Sequence, residues 1–145
     1  MEPAPSPGNA GARGPLLRVT NLVLPGYLLA AVLFTWPLAR TFTSAIPSSR
    51  VAFDPPMQAF LLGWDSHALL THPLAVFNAP IFHPEPNTLA YMDHLLGETF
   101  LSLPVLAIGR SIPAAYNFLV LFSFVVSAWA VYRLARLCGA SRPKS

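Results

Sequence analysis

Two apolar runs that begin and end in arginine constrain this chain more than any other feature. They occupy residues 18–40 and 110–133. About 21 mostly apolar residues at ~1.5 Å each form a helix roughly 30 Å long, the thickness of a bilayer's hydrocarbon core. The runs therefore predict an all-α integral membrane protein with two transmembrane helices, at residues 18–40 and 111–133.

The segment before the first run, residues 1–17, contains few apolar side chains. Because such a segment cannot bury enough apolar surface to fold, it is predicted to be a disordered tail. A cleaved signal peptide is the alternative interpretation of the first run, with Thr43, Ser44 and Ala45 as a cleavage site. The run is longer than a usual signal core, which favours an uncleaved anchor.

The distribution of basic residues predicts the topology. Arg13 and Arg18 precede the first helix, and three arginines and one lysine follow residue 132. Under the positive-inside rule both ends of the chain are cytoplasmic, including a tail at residues 134–145. Because two spans give that parity, residues 41–110 are predicted to form a large extracytoplasmic loop.

This outer loop has a one-sided charge pattern. Residues 51–109 contain no lysine or arginine, yet they hold five of the six acidic residues and all four histidines. A nucleic-acid-binding protein would combine basic and aromatic side chains, so the pattern excludes that class of partner. Since only 10% of the chain is charged, each ionisable group in the loop is a candidate for a specific role.

Two surface helices are predicted within the loop. Asp54 followed by Pro55 is a helix-start signal, and apolar residues then recur at helical spacing, which indicates an amphipathic helix near residues 55–72. A second apolar helix near residues 94–109 is too short to span a bilayer and is expected to be interfacial or re-entrant. The proline-rich segment between them, residues 77–87, is expected to be extended.

Asp54 is the strongest candidate for a catalytic residue. One interpretation is a plain helix cap, the other is a general base at the membrane surface, and one side chain can serve both roles. Gln58, Asp65 and His72 are spaced seven residues apart, so they share one stripe of the same helix, and Asp54 projects onto that side. Asp65 and His72 are therefore candidates for supporting roles.

A second polar group is predicted at Asp93 and His94. The segment Tyr91–His94 would face Asp54 across a cleft, or would only start the second surface helix. The histidines and acids of the loop also raise the alternative of a metal cluster. Because no pair of them has a recognised zinc spacing, no permanent metal site is predicted.

Three motifs of this sequence resemble a known family. They are "FDPPMQAFLLGWDSHALLTHP" at residues 53–73, "NAPIFHPEPNTLAYMDHLLGETFLSLPVLAIG" at residues 78–109 and "YRLARLCGAS" at residues 132–141. In this order they resemble the N-terminal part of GT-C-type membrane glycosyltransferases. That group includes protein O-mannosyltransferases, aminoarabinose transferases and multi-span glycosyltransferase-like bacterial proteins. Where those relatives usually have Gly-Asp-Pro and Ser-Glu-His, this chain has Phe-Asp-Pro and Met-Asp-His, and both versions keep the acid.

The resemblance implies an activity, partners and a location. Asp54 matches the acidic residue that activates the acceptor in this family, and Asp93 with His94 matches its second polar position. The donor would be a polyprenyl-phosphate-linked sugar, the acceptor is left open, and transfer usually inverts the anomeric centre. The implied location is the bacterial inner membrane, in a multi-pass protein with both termini cytoplasmic.

The resemblance also implies that the chain belongs to a larger enzyme, since family members have many more than two spans. Stabilising a leaving phosphate requires cations or a metal ion. The only basic residues near the loop are Arg40, Arg50 and Arg110 at its margins. We therefore expect an N-terminal segment that is inactive alone, with no certain cofactor and with a divalent metal ion left open.

Two other classes of protein are considered. A small non-enzymatic two-span membrane protein would bind a partner through its outer loop, and the reading frame beyond Ser145 would distinguish it from the enzyme. A transporter fragment would place charged groups inside its spans. Residues 19–39 and 111–132 contain no charged residue, so the transporter is the least favoured class.

Overall fold

The computed structural model describes residues 14–47 and 54–139, with side chains of the first helix described from Leu22 onward. Over these residues the protein is all-helical and has no β-strand, which confirms the predicted all-α class. Its α-helices are α1 (Gly14–Phe34), α2 (Asp54–Thr71), α3 (Leu96–Gly109) and α4 (Ile112–Leu137). Short 3-10 helices lie at Leu38–Arg40, Pro73–Ala75 and Thr88–Tyr91.

The first and last α-helices extend into the segments that were predicted to be tails. Residues 14–17 of the predicted N-terminal tail belong to α1, and residues 134–137 of the predicted C-terminal tail belong to α4. Residues 1–13 and 140–145 of the two tails, and Arg50, lie outside the described residues. In the middle, α2 and α3 begin and end within two residues of the helices predicted near residues 55–72 and 94–109.

The first helix ends at Phe34, earlier than the predicted residue 40. Thr35 donates hydrogen bonds from its backbone N–H and its hydroxyl to the Ala31 carbonyl, at 3.0 and 2.8 Å. Pro37 has no N–H to donate, and a residue that precedes proline disfavours the α conformation. The chain therefore leaves the α-helix before Pro37 and makes one 3-10 turn that ends at Arg40.

The start of α4 holds the loop that follows α1. Ser111 caps α4 by accepting a hydrogen bond from the Ala114 N–H at 3.2 Å, and its hydroxyl donates to the Thr43 carbonyl at 2.8 Å. The buried amide of Asn117 donates to the carbonyls of Phe42 and Ala45, at 2.8 and 2.7 Å. Because the chain leaving α1 meets the first turns of α4, these two packed helices run antiparallel.

Two further helices pack on the same part of α4. Arg110 adopts a left-handed conformation (φ 49°) and donates its N–H to the Leu106 carbonyl, which ends α3 and reverses the chain into α4. The helix α2 crosses close by. A Cβ placed on Gly63 would lie 3.3 Å from Cδ1 of Ile112, so glycine permits this close approach.

The proline-rich segment at residues 77–87 is not extended, contrary to expectation. The Leu89 N–H donates to the Phe77 carbonyl at 3.1 Å, so the chain folds back on itself. Left-handed backbone at Phe82 (φ 56°) and Asn87 (φ 54°) makes the reversal. The physical reason is burial, because the fold packs Ala79 and Leu89 with Leu61 of α2 in a small core. Proline restricts only its own φ and the conformation of the residue before it, so the prolines did not prevent the chain reversal.

One helix is long and apolar enough to cross a membrane within the described part of the chain, namely α4. At ~1.5 Å per residue its 26 residues extend about 39 Å. The mean hydropathy of its most apolar window is 1.9, and none of that window is buried by the rest of the chain. The apolar part of α1 with described side chains, residues 22–34, is shorter than a span, so the second transmembrane helix stays a prediction.

Candidate active-site cleft

An open cleft lies between the first turns of α2 and the segment that precedes α3. Its volume is about 500 Å³, and two carboxylates line it, those of Asp54 and Asp93. The other lining residues are Met57, Gln58, Leu61, Tyr91, Met92 and Leu95. The structure thus places Asp93 in one cleft with Asp54, and the chemical roles of both stay predictions.

The first turn of α2 places Asp54 in the wall of the cleft. It is the first residue of that helix, and Pro55 and Pro56 follow it in the first turn, where an N–H is not needed for helical hydrogen bonds. Its side chain is exposed to solvent. A carboxylate in the first turn is also stabilised by the positive end of the helix dipole. The carboxylate is therefore accessible from the cleft.

Asp93 and His94 are neighbours in sequence but have opposite environments. Met92, just before them, has extended backbone (φ −125°, ψ 166°). Asp93 is exposed and lines the cleft. The side chain of His94 is only 17% exposed. The two adjacent side chains thus face different surroundings, Asp93 the open cleft and His94 the packed interior.

Asp65 and His94 form a pair next to the cleft. Nδ1 of His94 lies 3.5 Å from Oδ2 of Asp65, which has no exposed surface. The edge of His94 also contacts Phe77 at a centroid distance of 4.6 Å. Burial raises the pKa of Asp65 above its ordinary value of 3.8, and the nearby His94 acts in the opposite direction. The pair is thus a polar contact between α2 and the segment that carries Asp93.

A smaller cavity of about 210 Å³ adjoins the cleft, because Gln58 and Leu95 line both. Its other lining residues are Leu62, Glu98, Tyr116, Leu119, Val120 and Ser123. The hydroxyl of Tyr116 donates to Oε1 of Gln58 at 3.1 Å, which joins the cleft wall to α4. The polar cleft therefore leads to an apolar surface of the helix that is long enough to span a membrane.

The predicted stripe on α2 does not form a single site. At ~1.5 Å per residue, Asp54 lies about 16 Å from Asp65 and about 27 Å from His72 along the helix. His72 is exposed and lies just after α2, before the 3-10 helix that starts at Pro73. The structure joins Asp54 with Asp93, and Asp65 with His94, and it places His72 away from both pairs.

Two tyrosines near the candidate site were not among the predicted site residues: Tyr91 lines the cleft, and Tyr116 lines the adjoining cavity. Tyr91 is 90% exposed and stands beside Asp93. Its place in the segment before Asp93 was a usable signal. Tyr116 belongs to a predicted transmembrane helix, and no local pattern connects it with Gln58, 58 residues earlier.

The cleft carries negative charge and no nearby set of metal ligands. Within the described ranges, no three histidine, cysteine or acidic side chains are placed to hold a metal ion. A divalent ion, which the sequence leaves open, would need further oxygen ligands besides Asp54 and Asp93. The surrounding loop has no lysine or arginine between residues 51 and 109. These charges disfavour a phosphate group at Asp54 and suit a neutral or cationic group.

Over its described residues the protein is thus all-helical, with one candidate membrane span and an acidic cleft beside it. Comparisons with protein-family models, with curated protein sequences and with solved structures find no match to this chain.

Proposed function

We propose that this chain is the N-terminal segment of a GT-C-type membrane glycosyltransferase that acts on the outer face of a membrane. In this proposal Asp54 is the general base, and the donor is a polyprenyl-phosphate-linked sugar. The observation that carries the proposal is the convergence of Asp54 and Asp93, from two separate segments, in one open cleft beside α4. The resemblance of the motifs around both residues supports the same assignment.

The chemistry requires one proton acceptor at the cleft. The ionised carboxylate of Asp54 takes the proton of an acceptor hydroxyl, and the hydroxyl oxygen attacks the anomeric carbon of the sugar. The bond from that carbon to the phosphate oxygen breaks, and polyprenyl phosphate leaves with the electron pair. Asp93, on the other wall, would bind the acceptor and orient it. Both carboxylates are exposed, so an acceptor can reach them.

Because the cleft is acidic, the groups that stabilise the leaving phosphate would belong to another part of the enzyme. A leaving phosphate is stabilised by positive groups that point at it. The cleft offers two carboxylates and no basic side chain. Phosphate stabilisation would therefore come from cationic residues or a metal ion held elsewhere, and the isolated chain is expected to be inactive.

Substitution of Asp54 tests the proposal. We expect Asp54→Asn to lower transfer by at least ~10²-fold, because the amide cannot accept the proton. Transfer is measured in membranes of cells that express the full gene containing this coding sequence, with a panel of tritium-labelled polyprenyl-phosphate hexoses and pentoses. The control is Glu85→Gln. Glu85 is an exposed acid of the same loop that does not line the cleft, so this variant should keep full transfer.

Two outcomes would overturn the proposal. One is absence of transfer by the wild-type protein from every donor of the panel. The other is near-normal transfer by Asp54→Asn at a matched protein level in the membrane.

Partner binding without catalysis is the second candidate function. Leu70 and Leu74, at and just after the end of α2, are 77% and 100% exposed, and exposed apolar side chains mark an interaction site where they form one contiguous patch. Under this alternative, a photoreactive residue at Leu74 should cross-link one specific protein in cells. Asp54→Asn should leave that cross-link unchanged.

A further inference from the structure

We propose that Asp65 and His94 are a buried positioning pair that holds Asp93 in place opposite Asp54. Its catalytic relevance rests on the proposed function, whereas its structural part stands alone. The pair joins two elements that are distant in sequence: Asp65 lies in the middle of α2, and His94 lies in the segment before α3. Their nearest polar atoms are 3.5 Å apart.

The connection from the pair to the cleft is covalent and short. His94 follows Asp93 directly, and consecutive Cα atoms are ~3.8 Å apart across a rigid planar peptide. Leu95, on the other side of His94, also lines the cleft. Any movement of His94 away from Asp65 therefore moves two residues of the cleft wall.

The surroundings make each member of the pair dependent on the other. Asp65 is fully buried, and His94 is largely buried with its ring edge on Phe77. Neither side chain has a hydrogen-bond partner among the described residues, so the contact between them is the main polar interaction of each. A buried charged or polar group is costly when it lacks a partner. Removal of one member therefore leaves the other unpaired.

The pair also explains why a histidine and an acid stand in an apolar setting. Their neighbours include Leu61 and Trp64 of α2 and Met92 and Leu95 of the facing segment, all in or against one small core. Apolar contacts alone allow sliding along the helix, because they have no preferred direction. A contact between two specific polar atoms selects one register, as polar groups in apolar interfaces do elsewhere.

A matched set of variants separates the polar contact from simple filling of space. His94→Asn keeps a nitrogen at the same number of bonds from Cβ as Nδ1, so it can still donate to Asp65. His94→Phe keeps the volume of a ring and loses the donor. Asp65→Leu removes the acid and leaves His94 unpaired. Glu85→Gln, in the same loop, is the control.

Hydrogen exchange followed by mass spectrometry on the purified full protein in nanodiscs gives a readout that needs no activity. In the wild type, the N–H groups of Ala90 and Met92 donate to Asn87 and Leu89. We expect exchange over residues 88–95 to rise at least tenfold in Asp65→Leu and His94→Phe. Peptides of α4 from residues 120–135 should not change, and His94→Asn and Glu85→Gln should match the wild type.

The catalytic part is measured as kinetics of the same variants. A positioning role predicts a lower kcat, by about tenfold or more, with KM within about twofold, and recovery of kcat in His94→Asn. Equal hydrogen exchange at residues 88–95 in Asp65→Leu and the wild type would overturn the proposed positioning role of the pair. So would a rise in exchange that extends over α4, because that would show general destabilisation.

The two proposals fail separately. If Asp54→Asn keeps full transfer while Asp65→Leu loosens residues 88–95, the pair holds and the proposed role of Asp54 is wrong. If Asp54→Asn abolishes transfer while exchange at residues 88–95 is unchanged in Asp65→Leu, the general-base role of Asp54 stands. The positioning role of Asp65 and His94 is then wrong.

Discussion

At the scale of single residues, the protein separates its carboxylates by their contact with water. Asp54 and Asp93 are exposed in the cleft, and Asp65 is fully buried against His94. The exposed acids can be reached by an acceptor molecule. The buried acid cannot, so it acts on the site through the residues to which it is connected.

Burial of Asp65 predicts a pH dependence of stability. Because folding raises its pKa, the folded state holds the proton more tightly than the unfolded state does. The contribution of Asp65 to the free energy of unfolding is therefore fully present below about pH 3.8 and is lost as pH rises through the raised pKa. The slope for one proton is at most about 1.4 kcal/mol per pH unit.

The comparison is between the wild type and Asp65→Asn, whose amide does not titrate. We expect the stability of the wild type relative to the variant to fall as pH rises above 3.8 and then to level off. Unfolding is followed by circular dichroism in detergent micelles over a pH series. Glu85→Gln should run parallel to the wild type, and a constant difference between the wild type and Asp65→Asn would contradict the prediction.

At the scale of helices, α4 organises the described part of the chain. The helices α1, α2 and α3 all pack against it. Its first two turns carry the contacts that hold the outer loop, including Asn117 under the chain that leaves α1 and Tyr116 against Gln58. The most apolar 18-residue window of α4 is not buried by the rest of the chain. One helix thus combines an anchor for the loop with a surface suited to lipid.

The close approach of α2 to α4 at Gly63 gives a prediction about packing. A Cβ at this position would already lie 3.3 Å from the Ile112 side chain, so the larger side chain of Gly63→Leu must push the helices apart. We expect a loss of about 1–3 kcal/mol in the free energy of unfolding. Removing the opposing side chain in Gly63→Leu/Ile112→Ala should recover part of it.

The matched control is Gly97→Leu in α3, where a Cβ would meet no atom within 4 Å. Its stability should stay close to that of the wild type. Thermal unfolding in detergent measures both variants. If Gly63→Leu were as stable as Gly97→Leu, α2 would not pack on the start of α4 as the structure has it.

At the scale of the whole molecule, the candidate span α4 and the absence of lysine and arginine from residues 51–109 predict an orientation. The outer loop would lie on the outside, and Cys138, at the end of α4, would lie on the cytoplasmic side. The loop site chosen for labelling is Asn87, which is exposed. The length of α4, about 39 Å, exceeds a hydrocarbon core of ~30 Å, so its two ends can reach opposite surfaces.

Cysteine labelling tests this orientation. In Asn87→Cys/Cys138→Ser, a membrane-impermeant maleimide should label intact cells. In the wild type, Cys138 is the only cysteine of the chain and should be labelled only after permeabilisation. Labelling of both sites in intact cells, or of neither before permeabilisation, would refute the predicted topology.

The sequence alone was sufficient for the helical class and for the approximate extent of α2, α3 and α4. These features depend on local signals: apolar periodicity, proline and capping residues within a few positions of each boundary. The same signals failed at residues 77–87, where prolines suggested extended chain. There, burial of Ala79 and Leu89 against α2 outweighed local preference.

Tertiary structure alone decided which polar residues meet. The spacing along α2 grouped Asp54, Asp65 and His72 on one side, but residues on a straight helix stay apart by their rise along its axis. Folding of residues 76–95 back onto α2 brought Asp93 to Asp54 and His94 to Asp65. That outcome depends on contacts between segments 29 to 39 residues apart, which no local pattern encodes.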